Sequence, residues 1–356
     1  MFKKVLSIIL VLATLLCFAS CSGGNPTVED VSNPEPSEPP KPTYYINNLT
    51  GIENLSEAQK DLRPVAIMIN NINVAQGVQS GVQNADIVYE TEVEGGITRL
   101  MAVFKDISAT QNIGTIRSAR YPYIELALGH DAIYIHHGQD PNYAAPYLKS
   151  SGVADFNIGS PYAFRKSNGQ SYEHTLYSDS EKITNGIAAK NFRTTTEKTA
   201  NFASFREEED KVAPSFAKAV SASVKFSNYA TSVFTYNEQT GLYTKNTKGR
   251  TNKDYFTGAA YEVTNVFMLS AKMSNYPIAK YRKIDLTSGT GYYMSAGGYE
   301  PITWEKGTGS ASFKFYAQDG TELKVNAGKS WVCIHNSIYT PTFTAPAPET
   351  TSSQQP

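Results

Sequence analysis

The apolar positions of this chain fall into two regimes. In the first half, continuous apolar runs end abruptly in polar residues: Val65–Ile69 stops at Asn70-Asn71, Ala85–Tyr89 at Glu90, Ile113–Ile116 at Arg117, and Ala132–Ile135 at His136-His137. Runs of this length without alternation predict strands covered on both faces. Ile97–Phe104 follows Gly95-Gly96, which predicts a hairpin with the preceding run. Helical spacing appears over 121–128, over Tyr143–Lys149, and over Glu181–Phe192, where Asp179 or Ser180 supplies the cap. From Phe216 the chain changes to short alternating segments (220–226, 233–236, 241–245, 260–268, 281–286, 291–294, 312–316, 322–325 and 331–334) punctuated by turn residues, which predicts a sandwich or barrel. The fold class expected is α+β: an N-terminal α/β domain with a mixed sheet over 46–214 and a C-terminal β-rich domain over 215–338, joined near Pro214.

The ends of the chain have a different character. Lys3-Lys4, an apolar run from Val5 to about Phe18, and Ala19-Ser20-Cys21-Ser22-Gly23 together read as a lipoprotein signal peptide over 1–20, with Cys21 as the lipidated residue. The run falls short of the roughly 20 residues that span a bilayer. The chain would therefore sit outside the cytoplasm, held to the outer face of the membrane by acylated Cys21. Residues 21–45 are rich in Pro, Ser and Glu and read as a disordered tether, and 339–356 as a disordered tail. The formal net charge of −1 and the absence of a basic run argue against a nucleic-acid partner. With Cys17 in the signal and Cys21 acylated, only Cys333 remains, so no internal disulfide is expected, and its apolar setting predicts a buried structural thiol.

The segment Ile113-Gly-Thr-Ile-Arg117-Ser-Ala-Arg120-Tyr-Pro122 concentrates the candidate chemistry. It puts two arginines where a strand turns into a helix, and a helix N-terminus is already positive, so an anion should compensate them. That anion is either a carboxylate of the chain, with Glu90, Glu92, Glu94 and Glu125 in range, or an external carboxylate, phosphate or sulfate held by arginine forks. If the turn is helical the two arginines share a face, and Ser118 serves as the N-cap. Ligands of open α/β sheets bind beyond the C-terminal strand ends. Asn70, Glu90, Arg99, Arg117, Arg120 and His136 on such ends, with His174 from a polar loop, are accordingly the candidate ligand-binding residues. No metal-ligand spacing and no cofactor motif is present, since adjacent His136 and His137 point to opposite faces of a strand.

Several stretches carry a resemblance when taken together: Arg63–Asn71, Gln83–Glu90, Glu94–Arg99, Ile116–Arg120, Asp131–His136, Thr303–Lys306 and Gly328–Val332. They resemble the YerB-like lipoproteins of Gram-positive bacteria over about residues 46–336. The resemblance implies a membrane-tethered extracytoplasmic α+β protein with a separate β-rich C-terminal domain, and it implies no activity. Two positions depart from the family pattern. His137 stands where a small residue is usual, and Glu173-His174-Thr-Leu-Tyr177 replaces a Pro-His-Asn-Leu-Tyr-like stretch, which weakens any catalytic role for Glu173.

The leading expectation is a non-enzymatic envelope lipoprotein that binds an anionic cell-wall ligand or a protein partner through Arg99, Arg117 and Arg120. The rivals are an envelope hydrolase using His136, His174 and a carboxylate such as Glu90, and a pure interaction module whose arginines are structural. Geometry discriminates between them. Catalysis needs His136, His174 and Glu90 within about 4 Å of one another in a pocket, whereas arginines matched by internal carboxylates leave no room for a ligand.

Overall fold

The computed structural model describes residues 43–347, so the signal peptide, Cys21 and most of the tether lie outside the described residues. The first half supplies five strands of the principal sheet: β1 (Val65–Asn70), β2 (Ile87–Glu92), β3 (Thr98–Phe104), β4 (Ile133–His136) and β5 (Ala154–Asn157). The second half supplies β6 (Ala217–Lys218), β7 (Ser221–Lys225), β8 (Thr231–Asn237), β9 (Leu242–Thr247), β10 (Arg250–Thr251), β11 (Glu262–Val263), β12 (Asn265–Ala271), β13 (Ser288–Ser295), β14 (Gly298–Glu305), β15 (Lys314–Tyr316), β16 (Ser330–Asn336) and β17 (Thr342–Thr344). The helices are α1 (Tyr121–Gly129), α2 (Ala144–Ser150) and α3 (Ser180–Ala189), the last capped by the Asp179 carboxylate, which accepts the Lys182 N–H at 2.7 Å. Every residue of β1, β2 and β3 is buried, as their unbroken apolar runs require. The β2–β3 hairpin turns through Gly95 and Gly96 at φ 70° and 73°, a left-handed pair that side chains resist. Among the described residues no helix is long and apolar enough to cross a membrane.

The principal sheet has 11 strands in the order β6-β14-β13-β12-β16-β2-β3-β1-β4-β5, with β15 beside β14. It is mixed: β1, β4 and β5 run parallel, and β16 lies parallel to both β12 and β2. The β16–β2 pairing, with Cys333 opposite Glu90, carries the sheet across the chain junction at 214 without a break. Residues 43–347 fall within one compact unit.

Two cores lie on opposite faces of this sheet. One packs Tyr123, Ile124 and Leu126 of α1 against Met68, Tyr89 and Met101. The other joins Ile183 and Ile187 of α3 to Ile67, Ile133 and Ile135, and continues beneath a second sheet, β10-β9-β8-β7-β17 with β11 on β9. Val224, Phe234 and Tyr243 of that sheet meet Val266, Met268, Met294 and Trp331. The second half thus contributes to two facing sheets, and one of these layers is the sheet shared with the first half.

Two expectations at the chain ends are corrected. Residues 342–344, placed in a disordered tail, form β17 on the edge of β7, with Phe343 stacked on Tyr299 at 3.7 Å between ring centroids. Thr342-Phe-Thr344 alternates hydroxyls with one aromatic, which suits a half-buried edge strand, and the flanking prolines obscured it. At the other end Tyr45, placed in the tether, already pairs with Leu55.

Candidate functional site

The chain between the 113–114 strand and α1 is extended, not helical. Asn70 N–H donates to Thr115 O, Arg117 N–H to Met68 O, and Ala119 N–H to Gly138 O, so the segment is laced across the ends of β1 and β4. The cap of α1 is therefore Arg120, with no side-chain capping bond, and Ser118 does not cap the helix. Arg117 and Arg120 consequently do not share a helical face.

Each arginine meets a carboxylate of the chain. Arg120 forks onto Glu94, with Nε donating to Oε2 at 2.7 Å and a second bond from Nη2 to Oε1. Arg99 Nη2 reaches the same Oε1 at 3.3 Å, and its Nη1 donates to Ser118 O. Burial pushes the Arg99 guanidinium down to about 10 and Arg120 beside it adds to the effect. Burial also works to raise the Glu94 carboxyl, but the Arg120 hydrogen bond and the charges of Arg99 and Arg120 outweigh it and hold Glu94 below its ordinary value of 4.5. Arg117 turns the other way, onto the Glu173 carbonyl at 3.0 Å and its carboxylate at 3.1 Å. The cavity beside Arg120 and Glu94, bordered by Tyr143, Tyr276 and Tyr281, measures about 10 Å³, room for one water at most. The anion at the start of α1 is Glu94.

The remaining candidates disperse. His136, inside the sheet, has Nδ1 at 2.7 Å from Gly138 O and Nε2 at 2.6 Å from Asp155. His174 Nδ1 accepts from Asn70 Nδ2 at 2.7 Å, and its Nε2 lies 3.5 Å from Glu173. Glu90 sits next to the residue paired with Arg99, so it projects from the opposite face of the sheet. His136, His174 and Glu90 thus have three separate sets of partners, and this cluster is not formed. Among the described residues no three His, Cys, Asp or Glu side chains are placed to hold a metal ion.

Glu90 faces the second sheet, and it is the most heavily bonded of the candidates. Its carboxylate, 1% exposed, accepts hydrogen bonds from Asn71 Nδ2 (2.9 Å), Thr98 Oγ1 (3.0 Å), Ser232 Oγ (2.9 Å) and Trp331 Nε1 (3.1 Å). Lys245 Nζ stands 3.8 Å away, 5.2 Å from the centroid of the Trp331 ring, and donates to Thr247 at 2.9 Å. Three of these partners come from the second half of the chain, Trp331 being 241 residues distant, which is why sequence reasoning missed them. Cys333, opposite Glu90 in the sheet, is a buried thiol that burial pushes well above its ordinary range.

Sequence reasoning also passed over Lys248, Arg250 and Lys253. These exposed side chains border a cleft of about 420 Å³ together with Asn73, Gln76 and Asn252. None forms an ion pair with any described residue. Asp254 at the same cleft is buried and turned inward, accepting from Gly81 N–H at 2.7 Å and Ser80 Oγ at 2.8 Å. A cation-rich hairpin tip was the available signal, and it lacked a partner segment until the fold brought residues 73–77 beside it.

A mixed sheet assembled from both halves of the chain, with Glu90 and Glu94 matched by partners within the chain, defines the class: an α+β protein in two sequence segments sharing one sheet. Those segments match the families described as "Protein of unknown function (DUF3048) N-terminal domain" over residues 49–193 and "Protein of unknown function (DUF3048) C-terminal domain" over 222–332. The chain is 29% identical over 293 residues to "Putative lipoprotein YerB" of Bacillus subtilis (strain 168), which covers 80% of this chain and 85% of that protein. It is similar to the crystal structure of YerB protein from Bacillus subtilis, with a TM-score of 0.71 and 26% identity over 82% of this chain and 96% of that one. The chain belongs to the YerB-like family.

Two outcomes follow from this geometry. Glu90→Ala leaves Lys245 without its opposite charge and the Trp331 indole without its buried acceptor, and it should cost about 3–5 kcal/mol in chemical denaturation; a loss below about 1 kcal/mol would contradict the account. Glu94, held below its unfolded value, stabilises the fold above about pH 4.5, and that contribution is lost as pH falls through the lower folded value. Thermal unfolding of Glu94→Gln should therefore lose less stability than wild type on acidification below 4.5, and parallel pH profiles would show that Glu94 carries no such linkage.

Proposed function

We propose that this chain is a non-catalytic lipoprotein of the cell envelope, acylated at Cys21 and displayed on the outer face of the membrane, and that it binds a negatively charged envelope ligand. The name carried by the Bacillus subtilis relative supports the anchored, extracytoplasmic part of this reading, together with the Lys3-Lys4, apolar and Ala-Ser-Cys21 pattern at the start of the chain. The single observation behind the anionic ligand is the cleft at the β9–β10 turn. Lys248, Arg250 and Lys253 ring it without acidic partners, and Asn73, Gln76 and Asn252 add amide donors. Asp254 offsets only one of these three charges: burial favours its neutral form, yet the Gly81 N–H and Ser80 hydroxyl hold it ionised and pointed inward, and the cleft keeps a cationic excess.

The ligand thus meets the chain at this cleft and not at Arg99, Arg117 and Arg120, whose charges Glu94 and Glu173 occupy. In this reading Asn70, Glu90, His136 and His174 hold the scaffold. Cations in a cleft attract polyanions through an electrostatic term that weakens with salt. Inorganic polyphosphate is the probe: wild type should bind it in a salt-dependent manner, and Lys248→Ala/Arg250→Ala/Lys253→Ala should bind at least about tenfold more weakly at unchanged melting temperature, the loss of roughly 1.4 kcal/mol. Equal binding by the two proteins, or none by wild type, would overturn the proposal.

A further inference from the structure

A second and larger groove opens on the principal sheet where the covering sheet stops. Its floor is a single row of side chains across four adjacent strands. Ser270 of β12 is paired with His335 of β16, and Thr290 of β13 with Thr303 of β14. The β12–β13 register, which ends at Leu269 opposite Gly291, brings Ser270 and Thr290 side by side. Alternation along β12 and β16 puts Ser270 and His335 on the face that carries Met268, Trp331 and Cys333, the face turned toward the second sheet. The next row contributes Tyr292 and Pro301, which are paired with each other. Residues 337–341, on their way into β17, and Gln318 form the walls, and the enclosed volume is about 620 Å³. That lies within the roughly 300–1,000 Å³ of small-molecule sites.

Two features separate this groove from an ordinary threonine-bearing sheet face. The first is His335, which is 2% exposed, with Nδ1 3.2 Å from the Asn336 carbonyl and Nε2 without any hydrogen-bond partner. Leaving such a buried nitrogen unsatisfied costs about 1–3 kcal/mol, and burial lowers the ring's pKa, which keeps it neutral. The second is uniform neutrality: none of the lining residues is Asp, Glu, Lys or Arg. The hydroxyls of Ser270, Thr290, Thr303, Ser337 and Thr340 and the Gln318 amide make no side-chain hydrogen bond to any described residue, so their donors and acceptors are free.

We propose that this groove binds a neutral oligosaccharide, its hydroxyls paired with the His335–Ser270–Thr290–Thr303 row and its C–H face laid on Tyr292. The chemistry selects this class. Hydroxyl rows both give and accept hydrogen bonds, as sugar hydroxyls do, and aromatic faces pack against pyranose C–H groups. The lining carries no charge of its own, Lys225 standing beside it over the Tyr339 ring at 4.9 Å, so the row itself offers an anion no counter-charge, and a purely apolar ligand would strand the polar row. The site is independent of the cationic cleft, so either can fail without the other.

Calorimetric titration of the full-length chain with chitotetraose and cellotetraose tests this. At least one should bind, with affinity reduced about tenfold or more in Thr290→Val/Thr303→Val, a near-isosteric pair at exposed positions whose melting temperature should stay at the wild-type value. His335→Gln, which keeps a side-chain donor and acceptor, should retain more binding than His335→Leu. Absence of binding by both sugars, or binding unaffected by the double substitution, would overturn the proposal. Binding of polyphosphate that is lost in Thr290→Val/Thr303→Val would overturn it as well, by showing that the groove selects charge.

Discussion

The buried carboxylate of Glu90 is the constraint around which this molecule is assembled. An ionised carboxylate removed from water costs several kcal/mol unless hydrogen bonds and an opposite charge replace its hydration. Here the replacements arrive from five places: Asn71 after β1, Thr98 on β3, Ser232 on β8, Lys245 on β9 and Trp331 on β16. No subset drawn from one half of the chain completes the shell. The first half alone leaves Glu90 with Asn71 and Thr98 and exposes β2 as an edge, while the second half alone leaves Lys245 without its acid. The parallel insertion of β16 beside β2 joins the two halves in one sheet and brings Trp331 to Glu90, and β8 and β9 of the covering sheet add Ser232 and Lys245 to complete the shell.

A similar internal matching governs the arginines. The positive N-terminus of α1, with Arg99 and Arg120 beside it, attracts an anion, and the β2–β3 turn delivers Glu94 to that point. Gly95 and Gly96 permit the sharp turn that brings the carboxylate there. Arg117 is matched separately by Glu173. With those charges consumed, what remains free lies elsewhere: the cations of the β9–β10 tip, and the uncharged row on the far part of the principal sheet. Both lie on the portion of the molecule contributed largely by the second half of the chain.

The strands of the first half were legible because burial on both faces leaves an unbroken apolar run, as in Val65–Ile69 and Ala85–Tyr89. The Gly-Gly hairpin and the Asp179 cap were legible because turn and cap chemistry is local. What escaped has a common cause in distance or composition. β14 contains Pro301, which demotes a strand pattern, although its place opposite Tyr292 tolerates it. The 115–119 segment carries helix-start signals, but backbone bonds to Met68 and Gly138 hold it extended. Polar residues at strand ends stand out in a sequence, yet a residue's partner is a tertiary fact. Glu90 read as a strand-end acid because Trp331 and Ser232 are 241 and 142 residues away. His335 carries no signal within its own strand, because the hydroxyl row that gives it meaning comes from three other strands.

The central claim is that Glu90 binds the two halves into one cooperative unit. Native-state hydrogen exchange measures this directly, because elements that open together share one free energy. The slowest amides of β2 and β3 should exchange with the same free energy and denaturant dependence as those of β8, β9 and β16. Exchange of β8 and β9 at a distinctly lower free energy, with β2 and β3 still protected, would show that the halves open independently and would contradict the account.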